Sequence, residues 1–267
     1  MIKKIHYCWF GCEKPDSVKR NVEHWAMLNP DFEICEWNES NIDVTRYDFA
    51  YRALESGRWA FLSDIVRLDA LIQHGGVYMD TDVELIRPLS DLAKQGDVDK
   101  LIIGYMYDCA LGTAVLYAPK NHAYLKDILH SYRYITKEKW VVNNTILTAY
   151  FVNNVEGFYL TGKFWQNDKC RVYPKEFFEQ PSFIKSKGMS IHHCCGSWNS
   201  VFKNNLSINP RMSWLSHIIK WASRKRRTWL SARNNEFTGC YKAALRGERK
   251  EYDISHLYSV DNPYCIE

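Results

Sequence analysis

Residues 59–82 read WAFLSDIVRLDALIQHGGVYMDTD, in which a helix pattern, a pair of glycines and a short apolar run follow one another. Apolar side chains recur at intervals of four, three and four residues: Phe61, Ile65, Leu68 and Ile72. This spacing predicts an amphipathic helix over residues 59–73, and two successive glycines are a typical end for such a helix. Residues 77–79 then predict a buried strand, which ends at the Asp-Thr-Asp of residues 80–82.

The same alternation of strands and helices is present on both sides of this stretch. Residues 2–9 predict a strand, residues 16–28 a helix and residues 32–37 a second strand. Further strands are expected at 101–106 and 112–118, and further helices at 121–133 and 145–153. Such alternation predicts an α/β fold. Residues 234–267 show little periodicity and carry no assignment.

The composition is that of a globular protein, with 46% hydrophobic and 25% charged residues in a chain of 267. No run of about 18 apolar residues is present, so no membrane-spanning helix is expected. The first residues lack the apolar core of a secretory signal. Nine scattered cysteines show no disulfide spacing and are expected to be reduced thiols. These features favour a cytoplasmic location.

Two pairs of charged residues lie at the helix and strand described above. Asp80 and Asp82 follow the predicted strand, and ligands of open α/β sheets bind beyond the carboxyl ends of strands. Carboxylates there are suitable ligands for Mg²⁺ or Mn²⁺. Asp64 and Arg67 are three residues apart and share one helix face. The alternative interpretation is a helix salt bridge and a solvated turn, because isolated charged pairs and Asp-x-Asp motifs are common.

A second cluster of metal-binding residue types lies at 189–198, which reads MSIHHCCGSW. A structural zinc site is not expected, because its ligands normally form two separated pairs, and adjacent strand residues point to opposite faces. One histidine of this stretch could join Asp82 on a cation, since neutral imidazole suits Mn²⁺. The alternative is a buried histidine with ordinary hydrogen-bond partners.

These segments together resemble the bacterial glycosyltransferases of family 32, whose sugar-binding region carries Gly-x-Tyr-x-Asp-x-Asp. That group includes capsule and O-antigen transferases and is related to yeast initiating mannosyltransferases and clostridial glucosylating toxins. The similarity covers roughly residues 1–200. Its matching segments are 5–11 (IHYCWFG), 34–38 (ICEWN), 60–82, 173–177 (YPKEF) and 191–198 (IHHCCGSW). No resemblance extends beyond residue 200, so the acceptor site stays open.

The resemblance implies a GT-A fold and transfer of a hexose from a nucleotide-diphosphate sugar with retention at the anomeric carbon. It implies Mn²⁺ or Mg²⁺ as cofactor, with a UDP-sugar as the expected donor and GDP-mannose as the alternative. The acceptor would be a glycan of surface polysaccharide synthesis, O-antigen or capsule, presented as a lipid-linked oligosaccharide. We expect a catalytic domain over residues 1–205 and a helical C-terminal extension over residues 206–267.

The resemblance also assigns roles to individual residues. The metal site would use Asp80 and Asp82, with Asp82 as the direct ligand, and with His192 favoured over His193 as a third ligand. The residues expected in catalysis are Asp64, Arg67, Asp80 and Asp82. The residues expected around the nucleotide sugar are Trp9, Asp64, Arg67, Tyr78, Asp80, Ser197 and Trp198. Among these, Ser197 and Trp198 would lie over the diphosphate and close the pocket.

The segment 211–233 differs from the rest of the chain in charge. It holds seven Lys or Arg residues and no acid, whereas the remainder carries 28 basic and 31 acidic residues. Its pattern predicts a basic amphipathic helix. Such a helix could bind the anionic inner face of the plasma membrane, where lipid-linked acceptors lie, or pack as an ordinary helix with a solvated basic face.

Two other classes of function would also account for some of these features. A metal-dependent phosphoesterase or nucleotidyltransferase also needs carboxylates on a cation, but it usually shows further ligands for a second metal. A nucleic-acid-binding module would need an extended basic surface, and without residues 211–233 the chain is net acidic. We therefore expect no nucleic-acid partner.

Overall fold

The computed structural model describes residues 1–93, 98–180, 188–194 and 232–264, together with residues 222, 223, 226, 229 and 230. Its strands are β1 (Lys4–Cys8), β2 (Glu33–Trp37), β3 (Gly76–Met79), β4 (Val83–Leu85), β5 (Leu101–Tyr107), β6 (Ala110–Leu111), β7 (Val115–Ala118), β8 (Trp165–Gln166), β9 (Cys170–Tyr173) and β10 (Ser190–His192). Its helices are α1 (Asp16–Leu28), α2 (Asp48–Glu55), α3 (Trp59–His74), α4 (Ser90–Ala93), α5 (Ala123–Ser131), α6 (Asn143–Asn154), α7 (Lys175–Phe178) and α8 (Thr238–Leu245), with a 3₁₀ turn at Tyr132–Tyr134. The strands and helices predicted between residues 2 and 153 are all present, with ends shifted by a few residues.

A mixed sheet forms the centre of the fold, with strand order β2-β1-β3-β7-β5-β9-β8 and β6 attached to β5. Strands β2, β1 and β3 are parallel, and β7 runs antiparallel between β3 and β5. A second, two-stranded sheet pairs β4 with β10. The predicted α/β class is therefore confirmed. Because β1 and β3 are parallel neighbours, their carboxyl ends meet at one edge of the sheet.

At the junction of α3 and β3, Gly75 and the first strand residue Gly76 both have positive φ, 63° and 112°. A Cβ atom at Gly75 would lie 2.9 Å from the backbone nitrogen of Lys120, and one at Gly76 would lie 2.7 Å from the carbonyl oxygen of Lys4. Both positions thus require glycine on conformational and steric grounds. The tight reversal brings the whole of α3 against the sheet beside β3.

Helix α3 is buried more completely than its sequence pattern predicts. The fully buried apolar positions are Leu62, Ile65, Leu68 and Leu71, whereas Phe61 and Ile72 are only half-buried. The helix packs against the central sheet and also against α2 and α5, so more than one face is covered. This environment also encloses Asp64 and Arg67, at 6% and 5% exposure. Two ionic side chains in the interior need specific partners, and the site described below supplies them.

Residues 234–264, the described part of the C-terminal segment without a sequence assignment, pack onto the same core as the sheet. Phe237, Leu257 and Tyr258 are buried in the main apolar cluster. Asn153 joins them to α6, since its Nδ2 donates to the carbonyl oxygen of Tyr252 at 2.9 Å and its Oδ1 accepts from the Tyr252 backbone nitrogen at 2.9 Å. The predicted boundary at 205/206 lies outside the described residues and stays a prediction.

Among the residues that the structure describes, no helix combines the length and the apolar character needed to cross a membrane. Most of the segment 211–233, which was predicted to be a basic amphipathic helix, lies outside the described residues.

Candidate active site

A cavity of about 290 Å³ opens at the sheet edge where β1 and β3 end. The chain after β1 contributes aromatic side chains, the chain after β3 contributes the Asp-x-Asp pair, and α3 contributes its buried charges from behind. The lining residues used below are Trp9, Trp59, Asp64, Arg67, Tyr78, Asp80, Asp82, Asn144 and His192. The cavity therefore collects most of the residues to which the sequence assigned a role.

The guanidinium of Arg67 is the centre of the buried charge network. It forms ion pairs with Asp64 (Nη2–Oδ1 3.1 Å) and Asp80 (Nη1–Oδ1 3.3 Å). Its Nη1 also donates to the carbonyl oxygen of Thr113 at 2.8 Å, and its Nε donates to that of Ser63 at 3.2 Å. The same group lies 4.6 Å from the ring centre of Tyr78. These contacts hold the two carboxylates in place from the interior side of the cavity.

Asp64 is supported from a second direction by the start of α6. Its Oδ2 accepts a hydrogen bond from the backbone nitrogen of Asn143 at 3.0 Å. Burial raises the pKa of Asp64 to about 6, although Arg67 opposes that shift. Burial also raises the pKa of Asp80, and Arg67 again opposes it. The positive charge of Arg67 therefore compensates the negative charges of the two carboxylates only in part. This favours an additional positive charge in the cavity.

Asp80, Asp82 and His192 each offer a ligand atom, and these atoms lie within 4.8 Å of one another. The pairing of β4 with β10 places His192 opposite Val83, directly beside the Asp-x-Asp pair. His192 Nε2 is 3.2 Å from Asp82 Oδ1. Two carboxylates and one imidazole form a donor set that suits Mn²⁺, and Mg²⁺ less fully because of the nitrogen. The chemistry of this donor set thus fits the divalent cation that the resemblance implies.

His192, the last residue of β10, and His193, which follows it, face different surroundings. His192 faces Asp82, whereas His193 Nε2 contacts Glu84 Oε2 at 2.8 Å on a more exposed side. The alternation of side chains along an extended backbone explains the difference. His193, the second choice for the metal, is therefore not part of the three-residue cluster. Ser197 and Trp198, expected over the diphosphate, lie outside the described residues.

The two aromatic residues assigned to the nucleotide occupy different depths of the cavity. Trp9 is half-buried at the rim, and its Nε1 donates to the carbonyl oxygen of Cys12 at 2.6 Å. Tyr78 is 1% exposed, and its hydroxyl donates to Asp80 Oδ1 at 3.0 Å. Trp9 thus offers a ring to a ligand, while Tyr78 also orients the first carboxylate of the pair.

Several residues at or behind the cavity had no role in the sequence interpretation. Trp59 and Asn144 line its wall. Glu179 lies behind His192, and its Oε2 is 2.6 Å from His192 Nδ1. Asn21 of α1 donates to the carbonyl oxygens of Thr81 and Val83 at 2.9 and 2.8 Å. No local pattern marks these residues, because each reaches the site only through the tertiary fold.

Residues 15–101 match a protein-family model described as a glycosyltransferase sugar-binding region containing a DXD motif. The matched residues include α3, the glycine pair and both carboxylates of the Asp-x-Asp pair. This part of the chain, about a third of its length, is similar to a glycosyltransferase sugar-binding region of the DXD type. The sequence resemblance is thereby confirmed for this region. Within the α/β fold, the Asp-x-Asp pair lies at the carboxyl end of β3, a strand of the central sheet.

Individual proteins show more distant similarity. The Subversion of eukaryotic traffic protein A of Legionella pneumophila is 27% identical over a match that covers 33% of this chain and 18% of that protein. The chain therefore spans less than a fifth of the length of that relative. The solved structure of the PaToxG glycosyltransferase has a TM-score of 0.46 and 16% identity, covering 58% of this chain and 69% of its own. A glycosyltransferase involved in glycosylation of the major capsid of PBCV-1 has a TM-score of 0.46 and 13% identity, covering 72% and 93%.

Proposed function

We propose that this protein transfers a hexose from a nucleotide-diphosphate sugar, with a UDP-sugar favoured, to a glycan acceptor with retention of anomeric configuration. In this proposal Asp80, Asp82 and His192 hold Mn²⁺ or Mg²⁺ at the cavity. The observation that carries it is the convergence of these three side chains within 4.8 Å, at the DXD pair of a sugar-binding region.

The leaving group explains why such a site needs a cation. Cleavage of the anomeric C–O bond leaves negative charge on a diphosphate, and a divalent cation bound there stabilises that charge. Asp82 and His192 come from separate chain segments and would fix the position of the cation from two sides. Asp80 is oriented by Tyr78 and Arg67 at 3.0 and 3.3 Å, so its direction is set before any ligand binds.

The remaining cavity residues would bind and orient the donor. Trp9 and Trp59 present ring surfaces on the side of β1, and such surfaces suit a base or a sugar ring. Asp64 lies deeper and could accept hydrogen bonds from sugar hydroxyls. Arg67 pairs with the two carboxylates and donates to backbone carbonyl oxygens. Its role is therefore to hold these carboxylates in place; its partners are Asp64, Asp80, Ser63 and Thr113. The transition state would resemble an oxocarbenium ion and would form next to the carboxylates of Asp64 and Asp80.

Ligand-dependent thermal stability tests the proposed function. A nucleoside diphosphate present at 100 times its Kd would stabilise the fold by about 2.7 kcal/mol, a shift of several degrees in Tm for a chain of this size. We expect UDP with Mn²⁺ to give the largest shift, and UDP with EDTA a much smaller one. GDP is the matched comparison that separates the two donor classes.

The outcome that would contradict the proposal is an unchanged Tm with every nucleoside diphosphate, with or without Mn²⁺. Turnover then separates the transferase from the alternative, a metal-dependent phosphoesterase or nucleotidyltransferase. Consumption of a UDP-sugar that rises with added glycan acceptor supports the transferase. Hydrolysis at the same rate with and without acceptor supports the alternative.

A membrane-bound acceptor is part of the same proposal. A lipid-linked oligosaccharide of O-antigen or capsule synthesis would lie at the inner face of the plasma membrane, within reach of a peripheral cytoplasmic enzyme. In the described part of the basic segment, Trp229 and Leu230 are 59% and 44% exposed. Exposed apolar side chains next to basic ones suit an anionic lipid surface. These observations support residues 211–233 as the contact to the membrane.

Liposome sedimentation tests this partner separately from the chemistry. The full chain should sediment with vesicles that contain anionic lipid, and less with neutral vesicles or at high salt. A chain that ends at residue 210 lacks part of the packed core as well, so the matched variant keeps full length. That variant replaces Trp229 and Leu230 by serine. Equal partitioning of this variant and the wild type would exclude the described face as the contact.

A further inference from the structure

Glu179 is a buried carboxylate that contacts the proposed metal ligand His192 through both its side chain and its backbone. The residue is 2% exposed and follows directly after α7. Its Oε2 lies 2.6 Å from His192 Nδ1, and its carbonyl oxygen accepts from the His192 backbone nitrogen at 3.1 Å. One residue therefore contacts both the backbone of β10 at His192 and the Nδ1 side of the ring.

The direction of the Nδ1 hydrogen bond decides what the other ring nitrogen can do. An ionised carboxylate only accepts hydrogen bonds, so Nδ1 carries a proton and donates to Glu179. Nε2, which points toward Asp82 at 3.2 Å, is then the nitrogen that can present a lone pair to a cation. A carboxylate behind a metal-binding histidine fixes the tautomer and raises the basicity of the ligand nitrogen.

Gly112 provides an independent observation on the same carboxylate. A Cβ atom at this position would lie 3.0 Å from Glu179 Cδ and 3.3 Å from its Cγ, and closer still to Oε1. The φ of Gly112 is not in the left-handed region, so its backbone conformation alone does not demand glycine. Its absent side chain leaves the space into which the Glu179 carboxylate extends. The β6–β7 connection is thus shaped around Glu179.

We propose that Glu179 is the positioning residue of the metal site, which holds His192 in the tautomer and orientation that bind the cation, and that Gly112 makes room for it. The proposal rests on the proposed function, because it presupposes that His192 binds the cation. It adds a buried carboxylate, distant from the DXD pair in sequence, to the determinants of metal affinity.

The experiment measures Mn²⁺ binding to the full chain in the presence of UDP by electron paramagnetic resonance. Glu179→Gln keeps the shape of the side chain but removes the charge, and its amide can turn a donor toward Nδ1. We expect the Mn²⁺ Kd to rise about 10- to 100-fold, as for other partners of ligating histidines. The nitrogen modulation from the bound imidazole should weaken in the same sample. Gly112→Ala should change both readouts in the same direction.

Two variants serve as controls. Glu176→Gln makes the same chemical change three residues earlier, at a side chain that lies 3.6 Å from Lys175 Nζ, and should leave the Kd within twofold. His192→Ala should abolish the nitrogen modulation. Melting temperatures of all variants in EDTA separate a loss of metal affinity from a loss of folding.

The outcomes distinguish this inference from the proposed function. If His192→Ala weakens binding while Glu179→Gln keeps the wild-type Kd and nitrogen modulation, the role of Glu179 is overturned and the metal site stands. If the wild type binds Mn²⁺ without nitrogen modulation, or does not bind it, the ligand role of His192 fails and the inference fails with it.

Discussion

Replacement of Asp82 by alanine should lower kcat for sugar transfer at least about 100-fold, comparable to the loss of other groups that stabilise a leaving charge. Asp82 is the carboxylate of the DXD pair that faces His192, at 3.2 Å. Without it, only Asp80 and His192 remain of the three proposed ligands, and the charge of the departing diphosphate is less well stabilised. The measurement is initial rate at saturating donor, acceptor and Mn²⁺, with folding checked by circular dichroism.

The matched control for this variant is Glu84→Ala, two residues further along the chain. Glu84 contacts His193 on the exposed side rather than the cluster. We expect this variant to keep kcat within about twofold, since surface ion pairs contribute little. A D82A enzyme with undiminished kcat would exclude a cation held by the DXD pair. Partial recovery of D82A at high Mn²⁺ would instead support a loss of metal affinity.

Replacement of Arg67 by methionine should lower the free energy of unfolding by about 3–5 kcal/mol, the usual cost of leaving a buried ion without its partner. The Arg67 side chain is 6% exposed and pairs with both Asp64 and Asp80. Methionine keeps most of the apolar volume, so the loss reflects charge and hydrogen bonds. Urea denaturation at neutral pH measures the effect.

Two companion variants make the interpretation specific. Arg46→Met removes an ion pair with Asp69 of 2.8 Å, but Arg46 is 47% exposed, and we expect a loss below about 1 kcal/mol. Asp64→Asn in the Arg67→Met background removes one of the uncompensated charges and should recover part of the stability, because residues of one network are not additive. Similar small losses for the two arginine variants would contradict a buried network centred on Arg67.

The alternating elements of the first part of the chain were predictable because their signals are local. The helix at 59–73 became α3 (Trp59–His74), and the strand after the glycine pair became β3. Burial was harder to predict within α3. The periodic residues Phe61 and Ile72 are only half-buried, whereas Leu62 and Leu71 are fully buried. The helix is covered by α2 and α5 as well as by the sheet, and local spacing does not record this coverage.

The candidate site was predictable where its residues are close in the chain. Asp64, Arg67, Asp80 and Asp82 lie within one helix–strand unit, and their spacing already suggested a common site. The preference for His192 over His193 depended on the resemblance. The pairing of β4 with β10 gives a physical reason for this preference. Glu179 lies in the unremarkable run Glu-Phe-Phe-Glu-Gln and could not have been chosen without its contact to His192.

Local chemistry along the chain was therefore enough to establish the α/β class, the reversal at Gly75 and Gly76, and the acidic pair at the end of β3. These features depend on the backbone preferences and apolar spacing of neighbouring residues, which a linear pattern records. Long-range packing alone settled which histidine faces Asp82, how Arg67 divides its hydrogen bonds, and why Glu179 needs Gly112. Such contacts join segments separated by tens of residues, and their geometry follows from strand register and from the exclusion of water, neither of which leaves a periodic trace in the sequence.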